Sequence, residues 1–353
     1  MTKNDFSRKR DSSIELFRII AAFAVLIVHF NGWFVGGLPN KLDFGVLNWR
    51  WAQFFIAAST CICVNLFLII SGYFGLRLKI SSVVHILLLL LGIYLPLYLV
   101  SVFCLHESFS TQKLISQFFV VSKSGYFVQC YLLLMFFSPV LNAFVNNNSR
   151  KTILCWGLLF WIIELWFGCI VEEINKRDVM DFHNGYSLIH FILVYILARI
   201  VCLYKKEIIQ IRILYWITGY VVCTIILFLM YGIGLRWGYA NPINIISSFC
   251  LFFPFLRFSF HNIKINSIAK STFAVYLIQV ADPVKSFLER LDYYLLCNCQ
   301  YVLYLAAALL VIVAFFFCCI IYDKSLNRLI MPIEQRLRKQ IGGKLYSTSL
   351  FCE

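Results

Sequence analysis

The sequence predicts an all-α polytopic membrane protein, a bundle of about ten transmembrane helices. Three observations support this fold class. Of the 353 residues, 61% are hydrophobic and only 14% are charged. The mean hydropathy is +0.82, a balance that soluble domains do not show. Apolar stretches of about 20 residues, the length that crosses a bilayer as a helix, recur along almost the whole chain.

Ten such stretches are candidate spans. They lie near 16–35, 54–76, 82–105, 126–145, 152–171, 186–204, 211–232, 243–260, 267–287 and 301–322. The ninth is the weakest, because it contains Lys270, Asp282 and Lys285. The stretch from Gln112 to Val121 is too short to span and is predicted to lie at the membrane interface. No loop could hold a separate soluble catalytic domain, so any chemistry is expected in the bundle or at its surfaces.

The basic residues predict the orientation. Ten spans place both termini on one side, which carries 20 of the 31 Lys and Arg residues against 9 on the other; Arg18 and Arg199 lie near span ends. The positive-inside rule then predicts cytoplasmic termini in a multi-pass protein of the cell inner (plasma) membrane. The chain divides into a basic tail at 1–15, a transmembrane domain at 16–322 and a basic tail at 323–353. The net charge of +14 therefore indicates topology and lipid contact rather than nucleic-acid binding.

The first span carries two ionisable residues, Arg18 and His29, with ten residues between them. Such groups are costly inside a bilayer, so each needs a reason to be there. At about 100° per residue, eleven steps return to within roughly 20° of the starting direction, and the two side chains lie about 16 Å apart along the axis. One helix face thus carries a cation near the membrane surface and an imidazole deeper in. The alternative is an Arg that extends to lipid phosphates and a His that is hydrogen-bonded within the bundle.

Several common kinds of site are not predicted. The sequence contains no Walker A motif, no dinucleotide-binding glycine run and no HExxH motif, and no metal site is expected. Its 14 cysteines include no CxxC pair, and most are expected to be small buried hydrophobic residues.

Five motifs along the chain resemble the landmarks of the membrane-bound acyltransferase 3 family, in the family's order and over roughly residues 14 to 320. They are Glu15-Leu16-Phe17-Arg18 with His29, Val64 to Tyr73, Tyr126 to Leu134 with Ser138 to Asn142, Gly185 to Leu188 with Tyr195 and Arg199, and Ala269 to Ile278. The fourth is similar to the surface-polysaccharide O-acetyltransferase branch of that family.

The chain departs from the family pattern at three positions. Gln279 stands where the late motif usually ends in His, Tyr126 stands near the place of a Trp, and Ala198 stands where Gly is common. These departures put in doubt any role for a second histidine, whereas they leave the pair of Arg18 and His29 unchanged.

The resemblance implies an O-acyltransferase without a tightly bound cofactor. It would move an acetyl or other short acyl group from cytosolic acyl-CoA, with acetyl-CoA as co-substrate, to a hydroxyl of a cell-surface polysaccharide or its lipid-linked precursor. His29 would take the proton of the acceptor hydroxyl, or would carry the acyl group itself. Arg18, at the cytoplasmic end, would bind the CoA phosphates or fix the geometry of the first helix.

Three further residues are candidates with weaker support. Ser71, at the inner end of the second span, would line the donor entrance; the alternative is a hydrogen bond at a helix end. Tyr131 is a candidate donor-binding residue, with a core or interfacial aromatic as the alternative. Glu164 lies well inside the fifth span and would orient His29 or an acceptor hydroxyl as part of the catalytic group. A buried ion pair or a neutral acid is equally consistent with its position.

A transporter or flippase for a glycan or small molecule is the alternative function. Ten spans with charged residues inside the membrane also fit that class. Transporters commonly have two related halves with broken helices at matching positions. The sequence shows no such repeat, and its prolines in or beside spans are not placed symmetrically.

Overall fold

The computed structural model describes residues 10–46, 48–104, 106, 108–118, 125–235 and 237–341. All the regular elements among these residues are helices, and seven helical segments are long and apolar enough to cross a membrane. The predicted all-α polytopic membrane fold is therefore confirmed.

The first half of the chain contains eight α-helices and two π-helical turns in its described residues. The helices are α1 (Ser12–Val28), α2 (Trp49–Thr60), α3 (Cys63–Phe74), α4 (Ile80–Phe103), α5 (Thr111–Phe118), α6 (Tyr126–Asn147), α7 (Arg150–Glu164) and α8 (Glu172–Asn175). The π-helical turn His29–Trp33 extends α1, and the turn Leu165–Val171 joins α7 to α8.

The second half begins with a short 3₁₀ turn at His183–Gly185. Its helices are α9 (Leu188–Leu203), α10 (Lys205–Ile208), α11 (Ile213–Gly232), α12 (Pro242–Arg257), α13 (Ile263–Ala269), α14 (Thr272–Val280), α15 (Asp282–Asn298) and α16 (Tyr301–Ile341). Two of them, α9 and α12, are apolar but have only 16 residues each, and they occupy the sixth and eighth predicted spans.

The ninth predicted span, 267–287, is not a single helix but contains parts of α13, α14 and α15. The nine residues of α14 extend about 14 Å, roughly half of a hydrocarbon core of about 30 Å. The chain breaks after it because Pro283 lacks the backbone N–H that a continuing helix would need, although Pro is well tolerated in the first turn of α15. Such breaks occur within a membrane protein where surrounding protein covers them, and α14 packs against α1, α4 and α16.

The last helix, α16, continues past the predicted end of the transmembrane domain at 322. Its 41 residues extend about 60 Å, twice the thickness of the hydrocarbon core. The first part of the predicted basic tail at 323–353 is therefore helical as far as Ile341. Residues 342–353 of that tail lie outside the described residues.

Helix α3 packs closely against α9 in the core. A Cβ built on Gly72 would lie 2.6 Å from the Tyr195 carbonyl oxygen and 2.7 Å from the Ala198 Cβ, so this contact needs glycine. The Tyr195 hydroxyl donates to Asn142 Oδ1 on α6 at 2.7 Å and accepts from the Leu76 N–H at 3.0 Å. Small residues at such contacts let membrane helices approach closely. Tyr195 and Ala198 therefore form the contact between α9 and α3.

Asp292 on α15 is a fully buried carboxyl group whose two oxygens have no hydrogen-bond partner within standard distance in the described structure. Burial raises its pKa to about 7, and the facing Tyr304 hydroxyl opposes this only in part. In the unfolded chain an Asp titrates near pH 3.9. The folded state therefore holds a proton that the unfolded state releases, and stability falls as the pH rises from about 4 to 7.

We expect Asp292→Asn to remove this component of the pH dependence. In thermal unfolding of the detergent-purified protein, the midpoint temperature of the variant should fall less than that of the wild type between pH 4 and pH 7. Glu289→Gln, at a partly exposed carboxyl of the same helix, is the control and should follow the wild type. Parallel curves for wild type and Asp292→Asn would show that Asp292 is ionised throughout.

Candidate functional site

A cavity of about 670 Å³ follows α1 along the face that carries Arg18 and His29. Its two ends are named here after the residues that mark them, the Arg18 end and the Trp33 end. Residues of α1, α3, α6 and α14 wall it, and its surface is mainly apolar. The cavity therefore connects the two positions that the sequence places on one helix face.

Four of the five predicted site residues line this cavity: Arg18, His29, Ser71 and Tyr131. The fifth, Glu164, does not. The structure thus brings together the residues from spans one, two and four, and separates the one from span five.

His29 begins the π-helical turn at the end of α1, and its carbonyl accepts a hydrogen bond from the Phe34 N–H at 2.8 Å. Turns of this kind occur often at functional sites. The half-buried imidazole contacts the Trp33 ring edge-on, with 4.9 Å between ring centroids. Its Nδ1 atom has no hydrogen-bond partner among the described residues. The ring is therefore held by packing, with its Nδ1 atom buried in the protein.

Two residues near the α14–α15 junction complete the surroundings of His29. The buried Gln279 side chain faces the imidazole, and its Oε1 atom has no hydrogen-bond partner in the described part of the chain. Lys285 lies close enough to act on the imidazole electrostatically, and its Nζ is 4.0 Å from the centroid of the Trp33 ring. Gln279, which stands where the late motif usually ends in His, therefore lies beside His29.

Arg18 at the other end of the cavity is paired with Glu15. The distance from Arg18 Nη1 to Glu15 Oε2 is 3.6 Å, and Arg10 Nη1 lies 3.6 Å from the other carboxylate oxygen. One carboxylate thus serves two guanidinium groups, and one positive charge remains. Lys270, between α13 and α14, lines the same end of the cavity. Sequence reasoning did not select Lys270 as a site residue, although it lies inside the late motif.

Ser71 and Tyr131 contact each other on the wall near this end. The Ser71 hydroxyl lies 2.9 Å from the Phe67 carbonyl, one turn earlier in α3, and 3.5 Å from the Tyr131 hydroxyl oxygen. The helix-end hydrogen bond that was the alternative for Ser71 is thus present, and the residue also faces the cavity. Both side chains present hydroxyl groups to an otherwise apolar surface.

Glu164 contacts His190 rather than His29. Its Oε1 atom lies 2.8 Å from His190 Nδ1, and His190 Nε2 lies 2.7 Å from Asn65 Oδ1; all three residues are fully buried. The structure therefore shows no contact by which Glu164 could orient His29. Glu164 instead forms a buried pair with His190, as in the alternative given for it. Sequence reasoning missed His190, although a second His within an apolar span was visible.

The Trp33 end of the cavity is lined by large aromatic rings: Trp33, Tyr126, Tyr186, Trp237 and Tyr239. Centroids of Tyr126 and Tyr186 are 5.0 Å apart, and those of Tyr186 and Tyr239 are 4.8 Å apart. Tyr186 remains 43% exposed. This end offers flat ring faces with hydroxyl groups, a surface that suits a polar ring-shaped ligand.

Backbone contacts between two loops hold these rings in place. The Asn184 carbonyl accepts from the Tyr239 N–H at 3.0 Å, and a Cβ on Gly185 would lie 2.4 Å from the Ala240 nitrogen. Gly185 also has a φ of +90°, which a side chain would strain. The Asn65 amide donates to the Tyr239 carbonyl at 3.3 Å and so links the buried Glu164 group to this loop.

Residues 11–323 match the acyltransferase 3 family model, which describes an acyltransferase domain. No curated protein and no solved structure matches the chain. The matched range includes the complete cavity and all five motifs of the sequence.

Proposed function

Because the chain belongs to the acyltransferase 3 family and is a membrane acyltransferase, we propose that it moves an acetyl group from acetyl-CoA to a hydroxyl of a surface polysaccharide or of its lipid-linked precursor. The observation that carries the proposal is the single cavity that joins Arg18 and Lys270 to His29. A donor with a charged end and a long arm can keep its charge beside Arg18 and Lys270, next to this end of the cavity, and extend its thioester towards His29. The family match does not favour the alternative of a transporter or flippase.

His29 is the proposed base. The imidazole, which lines the cavity, accepts the proton of the acceptor hydroxyl while the hydroxyl oxygen attacks the thioester carbonyl carbon. The carbon–sulfur bond then breaks, and the imidazolium returns the proton to the departing thiolate. In the covalent variant the imidazole attacks the thioester first, the carbon–sulfur bond breaks and CoA leaves as the thiolate. The hydroxyl oxygen then attacks the acyl-imidazole, the nitrogen–acyl bond breaks, and the hydroxyl proton passes to the thiolate. Gln279 positions the ring in both variants, because its amide faces the imidazole.

The two ends of the cavity fit the two substrates. Arg18 and Lys270 supply positive charge for the anionic donor at one end. The aromatic rings at the Trp33 end supply flat apolar faces, and the tyrosine hydroxyls supply hydrogen bonds for a sugar acceptor. His29 lies beside Trp33, where the two substrates would meet.

The test uses purified protein in vesicles with radiolabelled acetyl-CoA. Release of CoA thiol that depends on added oligosaccharide acceptor supports the proposal. In cells, deletion of the gene should lower the acetyl content of surface polysaccharide measured by NMR. Movement of a glycan across the vesicle membrane without acyl-CoA would contradict it and favour a transporter.

The basic-residue asymmetry also predicts the orientation in the membrane. We expect a reporter fused after Lys206 to be cytoplasmic and one fused after Arg177 to be external, because the first lies on the side with 20 basic residues and the second on the side with 9. A fusion after Lys264 is the control and should agree with Lys206. An external reporter at Lys206 would overturn the cytoplasmic location of both termini.

A further inference from the structure

A second cavity, of about 620 Å³, opens beside the Arg18 end of the first. It lies where the end of α3, the start of α4 and the C-terminal part of α16 meet, and is called here the basic groove. The polar and charged residues that line it are Arg77, Lys79, Ser81, Ser82, His85 and Glu334. Ile86 and Tyr131 line both this groove and the central cavity. The two spaces are therefore adjacent and share part of their lining.

The charge of the groove is positive. Arg77 and Lys79 have no ion-pair partner in the part of the chain that the structure describes. The acid in the lining, Glu334, lies 2.9 Å from His85 Nδ1, so one carboxylate, already in contact with a neighbouring side chain, stands against two cations. Arg77 is exposed and Lys79 is half-buried. Two cations thus remain for a ligand, with the hydroxyl-bearing Ser81 and Ser82 beside them.

The central cavity and the basic groove differ in what they can hold. The central cavity is mainly apolar and enclosed by helices, and several phosphate charges placed there would lose their hydration. The groove is open to solvent and offers charge-assisted hydrogen bonds from Arg77 and Lys79. A ligand with a phosphate-bearing end and an uncharged arm therefore fits the two spaces together, and fits neither of them alone.

We infer that the basic groove binds the nucleotide end of the acyl donor, with its phosphates on Arg77 and Lys79. The acyl-bearing arm then passes Tyr131 and Ile86 into the central cavity towards His29. This assignment rests on the proposed function, in which the donor is an acyl-CoA. It adds that the phosphates of the nucleotide are recognised on the start of α4 and the segment before it, beside the positive charge that Arg18 and Lys270 supply.

An anionic lipid headgroup carries the same phosphate chemistry, so the test must separate the two sources. The full-length protein is purified in detergent, and binding of CoA, of adenosine 3′,5′-bisphosphate and of pantetheine is measured by calorimetry. The Arg77→Ala/Lys79→Ala double variant is compared with Lys206→Ala/Lys264→Ala. That control removes two exposed cations elsewhere on the protein and lowers the net charge equally.

We expect the groove variant to bind CoA and the bisphosphate at least about tenfold more weakly, because two charge-assisted contacts are lost. Pantetheine binding should not change, and the control variant should bind all three as the wild type does. In the transfer assay the KM for acetyl-CoA should rise with little change in kcat, whereas the KM for S-acetylpantetheine should stay constant.

Other outcomes overturn the assignment in distinguishable ways. Equal CoA binding by wild type and groove variant would remove the groove from donor recognition and leave the proposed function standing. An equal change in KM for acetyl-CoA and S-acetylpantetheine would also show that the groove does not recognise the nucleotide. If CoA binding is unchanged but the variant loses association with phosphatidylglycerol vesicles, the groove binds lipid. Failure of the wild type to bind CoA at all would overturn the proposed function itself.

Discussion

His29→Ala is expected to abolish acyl transfer while the protein remains folded in the membrane. The substitution removes the group that accepts the hydroxyl proton or carries the acyl group, and general acid–base catalysis contributes about 10²- to 10⁴-fold to a rate. The ring is half-buried and its Nδ1 atom makes no hydrogen bond of standard length, so its loss leaves Gln279 without the facing imidazole but breaks no short hydrogen bond. The measurement is acceptor-dependent thiol release from acetyl-CoA at equal protein amounts.

His261→Ala is the matched control, because His261 is exposed and lies in the loop between α12 and α13. It should retain wild-type activity. Affinity for CoA should also survive in His29→Ala, since the donor's charged end binds elsewhere. Wild-type turnover in His29→Ala would reduce His29 to a packing residue and remove the central step of the proposed mechanism.

The sequence predicted the relation between Arg18 and His29 because both lie on one helix. The periodicity of an α-helix fixes which residues share a face, whatever surrounds it. The cavity does follow that face. The fold class was predictable for a similar reason, since apolar length and composition determine whether a segment can cross a bilayer.

Helix periodicity and apolar length do not predict contacts between segments that are distant in the sequence. The group of Glu164, His190 and Asn65 joins α7, α9 and α3, and no spacing along the chain specifies that these three helices meet. Glu164 alone therefore looked like a partner for His29. The sequence identified Gln279 as a departure from the family pattern. Its position beside His29 became clear only from the fold.

The error in the ninth span has a local cause that the sequence did contain. Apolar residues on both sides of Asp282-Pro283 made 267–287 look like one crossing, and the proline was not given its helix-breaking weight. The break matters for the site, because it brings Gln279 at the end of α14 and Lys285 at the start of α15 to the same imidazole.

The hydrogen bonds around His190 determine how its protons are placed. The Asn65 amide nitrogen donates to the Tyr239 carbonyl, so the Asn65 oxygen faces His190 Nε2, which must then carry a hydrogen. At Nδ1, either a protonated Glu164 donates to a neutral imidazole, or an ionised Glu164 accepts from an imidazolium. One further proton thus lies between these two buried side chains.

Glu164→Ala should therefore destabilise the protein strongly, by about 3–5 kcal/mol, the usual cost of removing one partner from a buried pair. It leaves His190 Nδ1 without a partner and opens a space inside the bundle. Glu164→Gln should be far milder, because the amide can donate to the neutral imidazole in place of the carboxyl group. Thermal unfolding in detergent, followed by loss of the monodisperse peak in size-exclusion chromatography, measures both.

The matched control is Glu207→Ala, which removes an exposed carboxylate 3.6 Å from Arg150. Surface pairs of this kind contribute little, and the free energy of unfolding should change by no more than about 0.5 kcal/mol.

Activity measurements separate the structural role of Glu164 from the catalytic role that the sequence suggested for it. Since Glu164 is bonded to His190 and lies outside the cavity, Glu164→Gln should retain transfer activity. A folded Glu164→Gln protein without activity would return Glu164 to the catalytic group, whereas a stable Glu164→Ala protein would show that the buried pair contributes nothing to folding.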